Sequence, residues 1–133
     1  MPIKILTVDD SLTIRLVVMK AFQPFDCTVC EATNGEEGLA VARTERPDLI
    51  LLDLNMPVMD GIVMLKTLRA DPDLKSTPVI MLTAECDRES IFLVTRLGVS
   101  DYILKPFSES LLIERARRIV ALEKKQFAAP ASA

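Results

Sequence analysis

The chain has 133 residues and contains no histidine, no tryptophan, a single tyrosine and only four glycines. Lacking imidazole, it has few of the ligands a structural zinc site needs, and its three cysteines cannot make up the usual set of four. No apolar run approaches the roughly 18 to 20 residues that span a bilayer, although half of all residues are hydrophobic. The first apolar run starts at Ile3 and reads as a strand, so no signal peptide is expected. A net charge of −3 gives no broad attraction for nucleic acid. An odd number of cysteines without a secretory leader suits a reducing compartment, so the expectation is a cytoplasmic chain that binds neither membrane nor nucleic acid directly. Cys27 and Cys30 spell Cys-x-x-Cys, but on a strand residues three apart point to opposite faces. They are expected to pack as small hydrophobes.

What is present is a rhythm. Short apolar runs cover 3–8, 49–52, 79–82 and 102–104, each followed by polar or turn-forming residues, and a further strand is expected over about 27–32. Helix-length segments separate them. Ser11 can cap a first helix, in which Leu12, Leu16, Met19 and Phe22 form the inward stripe, and Pro24 ends it. Asn34–Gly35 opens a second helix that carries Leu39, Val41 and Ala42 and stops before Pro47. A third carries Ile62, Leu65 and Leu68 and ends at Asp71–Pro72; a fourth runs from about 87 to 97 and is closed by Gly98. Ser108 caps a last helix expected to end near Lys125. Five β-α units make one α/β domain over 1–125, a doubly wound parallel sheet with helices on both faces. Residues 126–133 read as a disordered tail.

In such a sheet the carboxyl ends of the strands share one edge, where ligands bind. The residues that break the apolar pattern at that edge are Asp9 and Asp10, Asp53, Thr83 and Lys105. Clustered carboxylates in a partly desolvated pocket repel one another and need a cation. Oxygen ligands with room for water suit Mg²⁺. A metal, an ammonium and a hydroxyl together serve phosphoryl transfer, in which a carboxylate can itself be the nucleophile.

The runs Val8-Asp9-Asp10-Ser11, Leu52-Asp53-Leu54-Asn55-Met56-Pro57-Val58-Met59-Asp60-Gly61, Leu82-Thr83-Ala84 and Asp101-Tyr102-Ile103-Leu104-Lys105-Pro106-Phe107 resemble a two-component response-regulator receiver domain over about 2–125. The resemblance implies a flavodoxin-like sheet in the order 2-1-3-4-5 and Asp53 as phosphoacceptor. Mg²⁺ would be held by Asp10, Asp53 and the backbone carbonyl of Asn55, with Asp9 acting through a water. Thr83 and Lys105 would contact the phosphoryl group, while Asn55, Ala84 and Glu85 would govern access to it. It further implies a cis Lys105–Pro106 bond. The donor that the resemblance implies is a phosphohistidine on a sensor histidine kinase or phosphotransfer protein; with no histidine of its own, this chain would receive the group in trans.

The resemblance also implies a switch rather than an enzyme with an external product, since the chain catalyses only its own phosphoryl transfer and slow self-dephosphorylation. Thr83 and Tyr102 would report phosphorylation, and small Ala84 leaves room for the threonine to move. The signal would pass to a downstream effector protein through Arg88, Ile91, Phe92, Thr95 and Tyr102. A weak phosphorylation-dependent dimer is among the assemblies it allows. Arg115, Arg117 and Arg118 make the last helix locally basic, which reads first as a solvated face. A chemotaxis-type regulator, a phosphorelay intermediate or phosphate sink, and the receiver part of a longer regulator all stay open. A phosphatase with an aspartyl nucleophile of the haloacid-dehalogenase type fits less well, because it would need Asp-x-Asp after its first strand.

Overall fold

A computed structural model describes residues 2–84 and 87–126. The elements alternate strictly: β1 (Ile3–Val8), α1 (Leu12–Phe22), β2 (Cys27–Ala32), α2 (Gly35–Glu45), β3 (Leu49–Asp53), α3 (Gly61–Ala70), β4 (Val79–Thr83), α4 (Arg88–Leu97), β5 (Asp101–Leu104) and α5 (Glu109–Arg117). The five strands form one parallel sheet in the order β2-β1-β3-β4-β5. This is the order that the family resemblance implies for a doubly wound sheet. Every residue of β3 and β4 is buried, as continuous apolar runs in the middle of a two-faced sheet should be.

Alternation along the strands divides the core. Leu6, Val8, Ile50, Leu52 and Met81 face one side, under Leu39 of α2 and Leu65 and Leu68 of α3. Ile5, Leu49, Leu51, Ile80 and Leu82 face the other, under Val18 and Phe22 of α1 and Leu112 and Ala116 of α5. Cys27 packs on the second face and Cys30 on the first, so the Cys-x-x-Cys pair is split across the sheet as expected. Burial pushes both thiols above their ordinary pKa. Each helix starts on a side-chain cap from Ser11, Asn34, Asp60, Asp87 or Ser108.

Two sequence expectations need correction. In α1 only Phe22 of the expected stripe points inward; Leu12, Leu16 and Met19 are 58%, 54% and 37% exposed, and Val18 and Ala21 take their place. The helix is apolar most of the way round, so hydrophobicity alone does not fix its rotation. Burial of Val18, Ala21 and Phe22 sets it, and Arg15 adds a directed tie to the backbone of Asp9. The second correction concerns α5, which ends at Arg117 and not near Lys125. Val120 and Leu122 turn into the core beside Phe25, which draws the chain off the helical path. The chain then lies antiparallel to the segment before β2, with Asp26 N donating to Glu123 O and Lys125 N to Pro24 O.

Helix α4 has one buried residue, Val94. Its C-terminus is closed by Gly98 at φ 97°, a left-handed conformation suited to glycine. Arg69 of α3 donates from Nε and Nη2 to the Gly98 carbonyl and from Nη1 to those of Lys75 and Thr77. One guanidinium thus ties the C-terminal end of α4 to α3.

Candidate active site at the carboxyl edge of the sheet

The polar residues singled out in the sequence converge. Asp9 follows β1, Asp53 ends β3, Thr83 ends β4 and Lys105 follows β5. Asp9, Asp53 and Thr83 are all buried, whereas Asp10 is exposed. Carboxylate oxygens of Asp9, Asp10 and Asp53 lie within 4.8 Å of one another. Lys105 Nζ reaches across the edge to Asp9 Oδ2 at 2.8 Å and Asp53 Oδ1 at 3.2 Å. Its backbone N–H donates to the Thr83 carbonyl at 2.9 Å, and the Lys105–Pro106 bond is cis, as expected.

Asp9 is held on every polar atom it has. Its N–H donates to Ala32 O, its carbonyl accepts from Arg15 Nη1, Oδ1 accepts from Ser11 N and Oδ2 from Lys105 Nζ. The result is a fixed carboxylate beside the more exposed Asp10. Burial raises the pKa of Asp53, and the Asp9 charge pushes it further the same way; Lys105 opposes both, and Asp10 adds a smaller push upward. For Lys105 burial works against the charged form, but the hydrogen bond to Asp9 and the charges of Asp53 and Asp9 outweigh it, and its pKa is raised.

Three carboxylates face one ammonium here, which leaves excess negative charge on hard oxygen donors. That donor set fits a divalent cation such as Mg²⁺, which takes carboxylate oxygens and keeps other positions for water or phosphate. Asn55 and Ala84 lie exposed on the loops after β3 and β4. Glu85 lies outside the described residues. Tyr102 is half-buried and packs against the core under α2 and α3, on the same face as Met81, its register partner in β4.

The loop after β3 is tightly built. A Cβ at Gly61 would collide with the Asp53 carbonyl, and Gly61 N donates to Leu54 O at 2.9 Å. Only glycine lets α3 start so close to the phosphoacceptor candidate. In the same loop Val58 adopts φ 67°, while Met59 N donates to Pro57 O at 2.7 Å. This is the rare positive-φ γ-turn, centred here on a β-branched residue, an unfavourable combination.

Arg15 escaped the sequence reading. Its signal was there: it is the sole charge in the first two turns of a largely apolar helix. Leu104, 48% exposed, adds an apolar residue near the expected output face that was also missed. On that face Ile91 is 38% and Phe92 62% exposed, and Arg96 lies over the Phe92 ring at 5.6 Å.

Comparison with known proteins agrees with this geometry. Residues 5–117 match the profile of the family described as "Response regulator receiver domain". The chain is 42% identical over 118 residues to chemotaxis protein CheY-3 of Vibrio cholerae, covering 87% of this chain and 90% of that one. The solved structure of Vibrio cholerae chemotaxis response regulator CheY4 superposes with a TM-score of 0.84 at 36% identity, covering 90% of this chain and all of the other. A probable transcriptional regulator, ycf27 of Porphyridium aerugineum, is 38% identical over 117 residues; there the match covers 88% of this chain but only 48% of the relative.

Proposed function

The chain belongs to the response regulator receiver domain family, and from that membership we propose that it is a phosphorylation-activated signalling switch whose phosphoacceptor is Asp53. The observation that carries this reading is the placement of Asp53. It is the buried carboxylate at the end of the central strand, 3.2 Å from Lys105 and within reach of Asp9 and Asp10. The phosphoryl group comes in trans from a phosphohistidine on a sensor histidine kinase or phosphotransfer protein. An Asp53 carboxylate oxygen forms the new O–P bond as the N–P bond of the donor breaks, and the electron pair leaves with the imidazole.

Asp10, Asp53 and the backbone carbonyl of Asn55, with Asp9 through a water, would hold Mg²⁺, whose charge offsets that of the phosphoryl oxygens. Lys105 already spans Asp9 and Asp53, and an oxygen added at Asp53 enters the reach of its ammonium. The Thr83 hydroxyl donates to the same group, with small Ala84 leaving space for that movement. Burial that raises the Asp53 pKa also strips its carboxylate of water, which favours nucleophilic attack once a cation balances the charge. The phosphorylated state is read through Thr83, Tyr102 and the face of α4, β5 and α5 by an effector protein, in the manner of a chemotaxis regulator. The chain acts on itself and turns over no external substrate, and it works in the cytoplasm.

Intact mass after incubation with acetyl phosphate and Mg²⁺ tests the assignment. One added phosphate is expected for wild type and none for Asp53→Asn; an equally labelled mutant would overturn it.

A further inference from the structure

We infer that Arg15 is a positioning residue for the divalent-cation site, acting through the backbone between Asp9 and Asp10. Its side chain is only 12% exposed and its guanidinium makes two directed contacts. Nη1 donates to the Asp9 carbonyl at 2.7 Å, and Nε donates to Glu31 Oε1 on β2 at 3.0 Å. The Asp9 carbonyl belongs to the peptide that carries Asp10, so a donor on it sets where the Asp10 Cα sits and how its carboxylate approaches Asp53. Glu31 pairs in register with Thr7 at the far side of β1 and holds the Nε edge of the guanidinium. Arg15 is therefore clamped between an edge strand and the turn that presents two acidic ligands.

The contact geometry and the charge of Arg15 make opposite forecasts. As a bare positive charge near three carboxylates, Arg15 would weaken cation binding, and its removal would strengthen it. As a brace on the Asp9–Asp10 peptide, its removal would loosen a ligand and weaken binding. The short, part-buried bond to the carbonyl favours the brace, since partners behind metal ligands are typically worth 10- to 100-fold in affinity.

This inference rests on the reading of Asp9, Asp10 and Asp53 as a Mg²⁺ site. The test is a Mg²⁺ titration of the full chain, followed by backbone amide NMR shifts at residues 9–11 and 53–55. Arg15→Met keeps the stem and loses the donors; its dissociation constant should rise roughly tenfold. Arg15→Lys keeps the charge but cannot fork to both partners, and should also bind more weakly than wild type. Glu31→Gln still offers an oxygen to Nε and should stay close to wild type. Ser108→Ala, which removes the cap of α5, controls for general loss of stability and should leave the constant unchanged. Tighter or unchanged binding by Arg15→Met overturns the inference, as does equal weakening by Ser108→Ala. If wild type itself binds no Mg²⁺, the cation reading falls and the inference with it; if wild type binds and Arg15→Met matches it, only the inference falls.

Discussion

Asp9 and Lys105 are 96 positions apart in the chain and 2.8 Å apart at the edge of the sheet. The same ammonium also meets Asp53 at 3.2 Å, so one cation restrains two buried carboxylates. Lys105→Met should cost about 2 kcal/mol, toward the low end for a broken pair because the lysine keeps some solvent contact. Its raised pKa means that the stabilising charge is present throughout the neutral range and is lost as pH climbs through the native lysine value. Urea melts at pH 7 should show the deficit, and Mg²⁺ should restore part of it by supplying the missing charge.

Asp53 behaves in the opposite sense. Its pKa is raised by burial and by the Asp9 charge, so the folded state holds its proton more firmly than the unfolded chain does. Wild type therefore loses stability as pH rises from the ordinary carboxylate range, about 4, through the native value. In metal-free buffer Asp53→Asn should melt above wild type at pH 7. The gap should close below about pH 4. Thermal scans across pH check this, and a mutant that melts lower at pH 7 would contradict it.

Gly61→Ala places a methyl group against the Asp53 carbonyl. Either α3 shifts or β3 does, at a cost of roughly 1 to 3 kcal/mol. Phosphoryl uptake measured by intact mass should fall with stability, because the added methyl presses on the backbone of Asp53 itself.

Val58 is 77% exposed at φ 67°, so its side chain gains little from burial while its backbone is strained. Val58→Gly should stabilise the fold by about 1 kcal/mol, since glycine has no Cβ to clash at this positive φ. Chemical denaturation gives the sign directly. A destabilised variant would show that the valine side chain makes a contact worth more than the strain.

A beryllofluoride mimic of the phosphoryl group should shift amide signals beyond the pocket, through β4, α4 and β5. Thr83→Ala should weaken that spread without preventing phosphorylation of Asp53. Shifts confined to residues beside the metal and phosphate would mark a phosphate sink and not a switch.

The sheet and its site were legible in the sequence for the same reason. Apolar runs such as 49–52 and 79–82 read as buried strands, and the polar residues that end them, Asp53 and Thr83, had to meet at one edge. Helix rotation was not legible where apolar residues surround the axis, as in α1, because contacts outside the helix decide it, among them the Arg15 bond to the Asp9 carbonyl. The end of α5 was hidden for a related reason. Local propensity favours continuation past Arg117, and only tertiary burial of Val120 and Leu122 against Phe25 outweighs it. The collision that demands glycine at 61 is equally non-local, though Asp60–Gly61 did mark a turn.

The antiparallel clasp between residues 123–125 and 24–26 has a practical consequence for reporters. It fastens the chain at the amino edge of the strands, a full strand length from Asp53, about 17 Å for five residues. A dye attached at Gln126 would therefore sit away from the mouth through which a donor must approach. Energy transfer between that dye and a labelled kinase or effector would then report docking without blocking it. The clasp makes Gln126 a better handle than the rim, where Leu12 and Val58 are exposed beside the pocket.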